Sequence, residues 1–191
     1  MSKKVLLLLA EGFEEVEAIT PLDYLRRAGI EVQTASIAAD GNVQVRGSHG
    51  LVVQADLGLQ DAAQDSSWDG VLLPGGLPGA THLAASETVG ALVKALARAG
   101  KLVAAICASP GVVLFPLGLL QGRRFTCYPG VEASVSGATW VEAPVVRDGN
   151  LITSRGAGTA GFWAKELIAY LTDPATAQNI AASVLLSPEE V

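Results

Sequence analysis

Five short apolar runs, each closed by a turn signal, limit what this chain can fold into more than any other feature. Val5–Leu9 ends at AEG, Glu31–Ile37 at AADGN, Val71–Leu73 at PGG, Leu102–Ile106 at Cys107, and Leu151–Thr153 at SRGAG. Runs that are apolar on both faces suit strands covered from both sides, as in the middle of a parallel sheet.

Helical patterns lie between the runs. Val16, Ile19, Leu22 and Leu25 recur at helical spacing, and Gly29 follows as a C-terminal stop. Within that stretch Thr20-Pro21 allows two outcomes: Pro21 at the first position of a restarted helix capped by Thr20, or Pro21 kinking one helix. Further helices are predicted over Ser86–Ala99, briefly after Cys107, over Thr159–Leu171 and over Pro174–Leu186. Alternation on either side of GSHG predicts a small β-hairpin after the second strand, and VVRDGNLIT predicts a second hairpin through Asp148-Gly149. The region Gly122–Asp148 reads as β-rich and irregular. The βαβ alternation predicts a doubly wound α/β sandwich with a mostly parallel sheet, helices on both faces and right-handed crossovers. The length of 191 residues favours one domain over 1–191.

Composition narrows the function. Half the residues are hydrophobic and 17% are charged, and the net charge is −6. An acidic chain without a Lys/Arg cluster is a poor binder of phosphate backbones, so no nucleic acid is expected as a partner. The apolar start Val5–Ala10 is too short for a signal core and runs straight into Glu11, Glu14 and Glu15. No stretch approaches a membrane span, and the chain is read as cytoplasmic. Two cysteines and two histidines give neither a disulfide framework nor metal-ligand spacing.

In a doubly wound fold the ligand site lies beyond the carboxyl ends of the strands. AEGFEEVE, PGGLPGA and CASPG should converge there. Cys107 stands where a strand gives way to a helix, so a sharp turn would expose its sulfur and the helix N-terminus would favour thiolate. The alternative is a buried structural cysteine, a common fate of this residue. Gly75 and Gly76 follow Pro74 and can present backbone N–H groups to an oxyanion, or form a plain turn. Glu14 and Glu17 face alike on the first helix while Glu15 faces away. A desolvated Glu17 beside a cysteine would hold a proton near neutral pH, whereas exposed glutamates would be merely solvated. His49 sits at the hairpin tip and His82 after PGAT, both read as surface residues. Cys127 is read as a spectator.

Four segments, LLLLAEGFEEVEAITPLDYLRRAGI, DGVLLPGG, LVAAICASP and LITSRGAGTA, appear in the same order as in the DJ-one/ThiJ/PfpI superfamily. The chain resembles its DJ-one/YajL-like branch over nearly its whole length. The resemblance implies a flavodoxin-like sandwich that forms a homodimer. It implies that Cys107 is the reactive residue, that Glu17 is its protonated partner, and that backbone amides of Gly75, Gly76 and Ala108 surround it. It implies no cofactor and no metal. It implies one of two roles: a glyoxalase or deglycase acting on a small aldehyde or a glycated substrate, or a non-catalytic redox sensor or chaperone whose cysteine oxidises to a sulfinate.

The chain departs from the branch in two places. Tyr128 stands in TCYPG where the branch often has histidine; as an accessory residue its phenol can hydrogen-bond but is a poor base near neutral pH. His49 stands where the branch often has an arginine near the partner's site, so the resemblance implies an accessory role for it, a weaker and pH-dependent cationic group supplied across the interface. Superfamily peptidases carry a histidine directly after the cysteine. Here the next residue is Ala108, which counts against cysteine peptidase activity.

Overall fold

The computed structural model describes residues 2–187. In chain order the elements begin with β1 (Lys4–Leu9), α1 (Glu15–Arg27), β2 (Glu31–Ser36), β3 (Gln44–Arg46), β4 (Val52–Gln54), β5 (Leu57–Gly58) and α2 (Leu59–Gln64). They continue with β6 (Gly70–Leu73), α3 (Gly79–Ala85), α4 (Glu87–Arg98), β7 (Leu102–Ile106) and a π-helical turn at Pro110–Leu114. The last are β8 (Arg124–Phe125), β9 (Thr139–Trp140), β10 (Val145–Asp148), β11 (Leu151–Ser154), α5 (Ala160–Leu171) and α6 (Pro174–Ser183).

The central sheet has the order β10-β11-β7-β6-β1-β2-β5, and only β10 runs antiparallel to its neighbour. The fold is the expected flavodoxin-like α/β sandwich, with β3 and β4 as a separate antiparallel hairpin. Its register places Val5 beside both Val32 and Gly70, and Val71 beside Val103.

The period of two along β1 explains why its run is apolar throughout. Val5, Leu7 and Leu9 face one core, with Ala18 and Leu25 of α1 and Trp163 and Leu167 of α5. Leu6 and Leu8 face the other, with Leu59 of α2, Leu83 of α3 and Val93 of α4. Leu6 to Leu9 are all fully buried, each worth about 1.5–3 kcal/mol of transfer free energy.

α1 passes through Pro21 without a restart, so Thr20 caps nothing. Pro21 is buried, and its missing N–H is the donor that would have reached the Glu17 carbonyl. α6 ends at Ser183, short of the expected Leu186. There Leu185 adopts a left-handed φ of 58°, and the Leu186 N–H returns to the Ala181 carbonyl at 2.9 Å. Among the described residues, no helix is long and apolar enough to cross a membrane.

Candidate active site

β7 delivers Cys107 to the carboxyl edge of the sheet. All five residues of the strand are buried. The Cys107 N–H donates to the Ser154 carbonyl at 3.0 Å, and its own carbonyl accepts the Tyr128 N–H at 2.9 Å. Clamped on both sides, Cys107 takes φ 63°, a left-handed conformation that non-glycine residues rarely adopt. Here the chain turns from strand into the Pro110–Leu114 turn, and the half-buried sulfur is presented at the bend. The Ser109 hydroxyl, fully buried, ties this bend to the neighbouring one by donating to the Pro74 carbonyl at 2.5 Å.

That neighbouring bend is Pro74-Gly75-Gly76, at the end of β6. A Cβ on Gly75 would lie 2.5 Å from the Cys107 Cβ, 2.7 Å from Glu17 Oε2 and 3.1 Å from the Cys107 Sγ. Glycine is therefore what lets the backbone, the thiol and the carboxyl meet. The Gly75 N–H donates to Glu17 Oε2 at 2.8 Å, and its carbonyl accepts the Glu14 N–H at 3.0 Å. The Gly75 amide is thus held by the carboxyl, and the backbone amides that act on the sulfur are those of Gly76 and Ala108.

Glu17 comes from the first turn of α1 and is 1% exposed. Glu14 caps that helix by accepting the Glu17 N–H at 2.7 Å. Burial lifts the Glu17 carboxyl to about 7, with the charge of Glu14 adding to the rise, while hydrogen bonds with Cys107 and the Gly75 N–H oppose it. Burial likewise lifts the Cys107 thiol to about 12, helped by the charge of Glu17 and the hydrogen bond to it, against the pull of the Gly76 and Ala108 amides. This reverses the expected lowering of the thiol. Beyond Cys107 the short helix expected there is a five-residue π-helical turn, and desolvation outweighs the pull of its N–H groups. When Glu17 is protonated its repulsion disappears, and the carboxyl becomes a donor toward sulfur. Thiol and carboxyl then behave as a pair that shares protons.

Tyr128 is 54% exposed and sits at the mouth of this arrangement. From the Cβ position of Gly156, the Tyr128 ring edge is 3.5 Å away and Glu17 Oε1 is 3.8 Å away. The sequence flagged Tyr128 but passed over Gly156, which it read only as part of the turn after β11. His49 instead turns to the helix start: its Nδ1 lies 2.9 Å from Glu15 Oε2, and its N–H donates to Glu15 Oε1 at 2.6 Å. The pairing raises the His49 imidazole. For Glu15, burial pushes the carboxyl up but the His49 hydrogen bonds prevail and hold it at about 2. His82 is exposed on α3, and its ring bonds the Glu11 carbonyl. Cys127 is fully buried, and its sulfur lies 3.9 Å from Glu132 Oε2.

The family model of DJ-1/PfpI matches residues 3–170. The chain belongs to the DJ-1/PfpI family. It is 40% identical over 189 residues to protein dj-1beta of Drosophila melanogaster, covering 98% of this chain and 99% of that protein. It is 38% identical to protein DJ-1 homolog B of Arabidopsis thaliana over 98% of this chain, but spans only 42% of that longer protein. A deglycase of Pyrococcus abyssi is 37% identical over 88% of this chain and 99% of its own length. Among solved structures, oxidized DJ-1 of Toxoplasma gondii superposes with a TM-score of 0.92 at 38% identity, covering 96% of this chain and 98% of that one. The Toxoplasma gondii structure shares the sandwich described above.

Proposed function

We propose that the chain is a cofactor-independent, cysteine-dependent enzyme acting on small reactive carbonyls, of the glyoxalase or deglycase type. One observation carries the reading: Cys107, on a left-handed bend, meets a buried Glu17 whose carboxyl titrates near neutrality, with the side-chain-free Gly75 between them. The deglycase name of the Pyrococcus relative supports the substrate class.

With the thiol held high, little free thiolate exists at neutral pH, so Glu17 must act as the base during attack. On methylglyoxal, Sγ adds to the aldehyde carbon while Glu17 takes the thiol proton. The amides of Gly76 and Ala108 face the developing oxyanion, and Glu17 returns the proton to give a hemithioacetal. Glu17 next shuttles the C–H proton of that carbon to the adjacent carbonyl carbon through an enediol, leaving a thioester. Water cleaves the thioester, releasing lactate and the thiol. One carbon is oxidised and its neighbour reduced, so methylglyoxal plus water equals lactate and no external redox partner is needed. In a glycated substrate the former aldehyde carbon already bears a hydroxyl and the amine or thiol, so Sγ displaces that group, Glu17 passes it the thiol proton, and the same hemithioacetal on Cys107 results.

The test is lactate formed from methylglyoxal by the wild-type chain and by Cys107→Ala. The variant should be inert, and equal rates would remove the proposal.

A second reading, a redox sensor, draws on the oxidized relative from Toxoplasma gondii. A half-buried Cys107 beside the Gly76 and Ala108 amides and a protonated Glu17 would hold a sulfinate by hydrogen bonds. Intact mass after mild peroxide should then show two added oxygens that Cys107→Ser abolishes. An unmodified thiol would sink this reading.

We infer also a homodimer built on α1 and the β3–β4 hairpin. Val16, Leu51 and Val52 are exposed apolar residues there, and Glu15 pins the hairpin tip to the helix start.

A further inference from the structure

We propose that a cavity separate from Cys107 is a binding site for a small primary ammonium compound with an apolar body. The cavity is about 390 Å³ and lies beyond the carboxyl ends of β1 and β2, where open α/β sheets bind ligands. Leu9, Ile37, Ala38 and Val45 give it apolar walls, while Glu11, Ser36, Gln44, His82 and Ser86 supply its polar ones, with Glu11 the carboxylate among them. Neither Cys107 nor Glu17 lines it. The wall between the two sites is the turn at Gly12, whose carbonyl lies 2.7 Å from the Cβ position of Gly76.

The ligand class is set by which hydrogen-bonding groups remain unspent. His82 Nδ1 lies 3.0 Å from the Glu11 carbonyl, which can only accept, so Nδ1 carries the proton. In the neutral ring Nε2 is then an acceptor. Glu11 uses Oε2 to accept the Arg46 N–H at 3.1 Å, and a carboxylate has further lone pairs to offer. The Ser36 hydroxyl has given its proton to the Asn42 carbonyl at 2.6 Å. The Ser86 hydroxyl, which accepts the Val89 N–H at 3.3 Å, and the Gln44 amide can each donate or accept, so what selects the ligand is the negative charge of Glu11 beside the His82 acceptor. A ligand that pairs with Glu11 and His82 brings N–H donors and a positive charge, and the aliphatic walls favour a compact apolar remainder. An anion meets the Glu11 charge and is rejected. This inference does not depend on the carbonyl chemistry at Cys107.

The experiment is a ¹⁵N NMR titration of the whole chain with benzylamine at pH 7, with benzyl alcohol and benzoate as the neutral and anionic isosteres. Benzylammonium should move the amides of Leu9, Ile37, Val45 and Ala85, and should bind about tenfold more tightly than benzyl alcohol, the scale of one charge-assisted hydrogen bond. Benzoate should leave those signals in place. Glu11→Gln keeps an acceptor for the Arg46 N–H and should erase the preference for the amine. Ala85→Leu, at an exposed cavity position, should block binding without touching the charge. Equal binding of benzoate or of the alcohol, shifts mapping elsewhere, no binding at millimolar benzylamine, or unchanged binding in both variants would overturn the proposal.

Discussion

Glu17→Gln should make the protein more stable, and increasingly so as pH rises. The carboxyl is 1% exposed, and burial lifts its titration from 4.5 in the open chain to about 7 in the fold. Below 4.5 both states are protonated and the group has no differential effect. Between 4.5 and 7 the unfolded chain gives up its proton while the native state keeps it, so native stability falls as pH rises and levels off above 7. At about 1.4 kcal/mol for each pH unit, the loss approaches about 3 kcal/mol, a large part of the 5–15 kcal/mol typical of a domain. Glutamine does not titrate, and its amide oxygen can still accept the Gly75 N–H. The Cys107 thiol, held at about 12, stays protonated throughout this window, and the Glu15 transition lies below it. Urea denaturation of both proteins at half-unit steps from pH 4.5 to 8 should show their curves diverging, with the variant gaining up to about 3 kcal/mol by pH 8. A difference that stays constant with pH would refute the reasoning.

Three further outcomes can be checked. Gly75→Ala places a methyl 2.5 Å from the Cys107 Cβ, so urea midpoints should fall by an amount equivalent to about 1–3 kcal/mol, the range of overpacked cores, and lactate formation should fall with them. The kcat/KM for methylglyoxal should rise as pH passes through about 7, where Glu17 becomes the base, and Glu17→Gln should abolish both the rise and the activity. Val16→Asp, at a 46% exposed site on α1, should convert a particle of twice the chain mass into a folded monomer by light scattering; a wild-type chain already monomeric would remove the dimer inference.

The buried strands were legible because runs such as Val5–Leu9 are apolar at every position, too short for a helix and closed by turn signals, as strands covered on both faces are. The carboxyl-edge turns were legible because Gly75 and Cys107 punctuate those runs. α2 and α3 were missed, being only six and seven residues long, too short to establish a periodicity. The end of α6 was overrun because its stop signal is absent from the sequence: the left-handed residue that ends it is Leu185 rather than glycine, and the turn is held by the Leu186 N–H and by Leu186 packing 2.8 Å from the Cβ position of Gly161. At the site, the convergence of Cys107 with Glu17 could be read, but the direction in which the thiol shifts could not. That direction is a balance between desolvation and a few backbone dipoles, and only three-dimensional burial sets it. Gly156 went unnoticed for a related reason. Its significance lies in what stands on either side of it, Tyr128 and Glu17, and both are remote in sequence.

The left-handed backbone at Cys107 bears on how its variants should be compared. A non-glycine residue held there costs about 1–2 kcal/mol in every variant that keeps a Cβ, and this cost is independent of sulfur. Cys107→Ser and Cys107→Ala inherit it and therefore isolate the chemistry of the thiol. Cys107→Gly relaxes it, so a gain in stability from that replacement would measure the bend rather than the nucleophile.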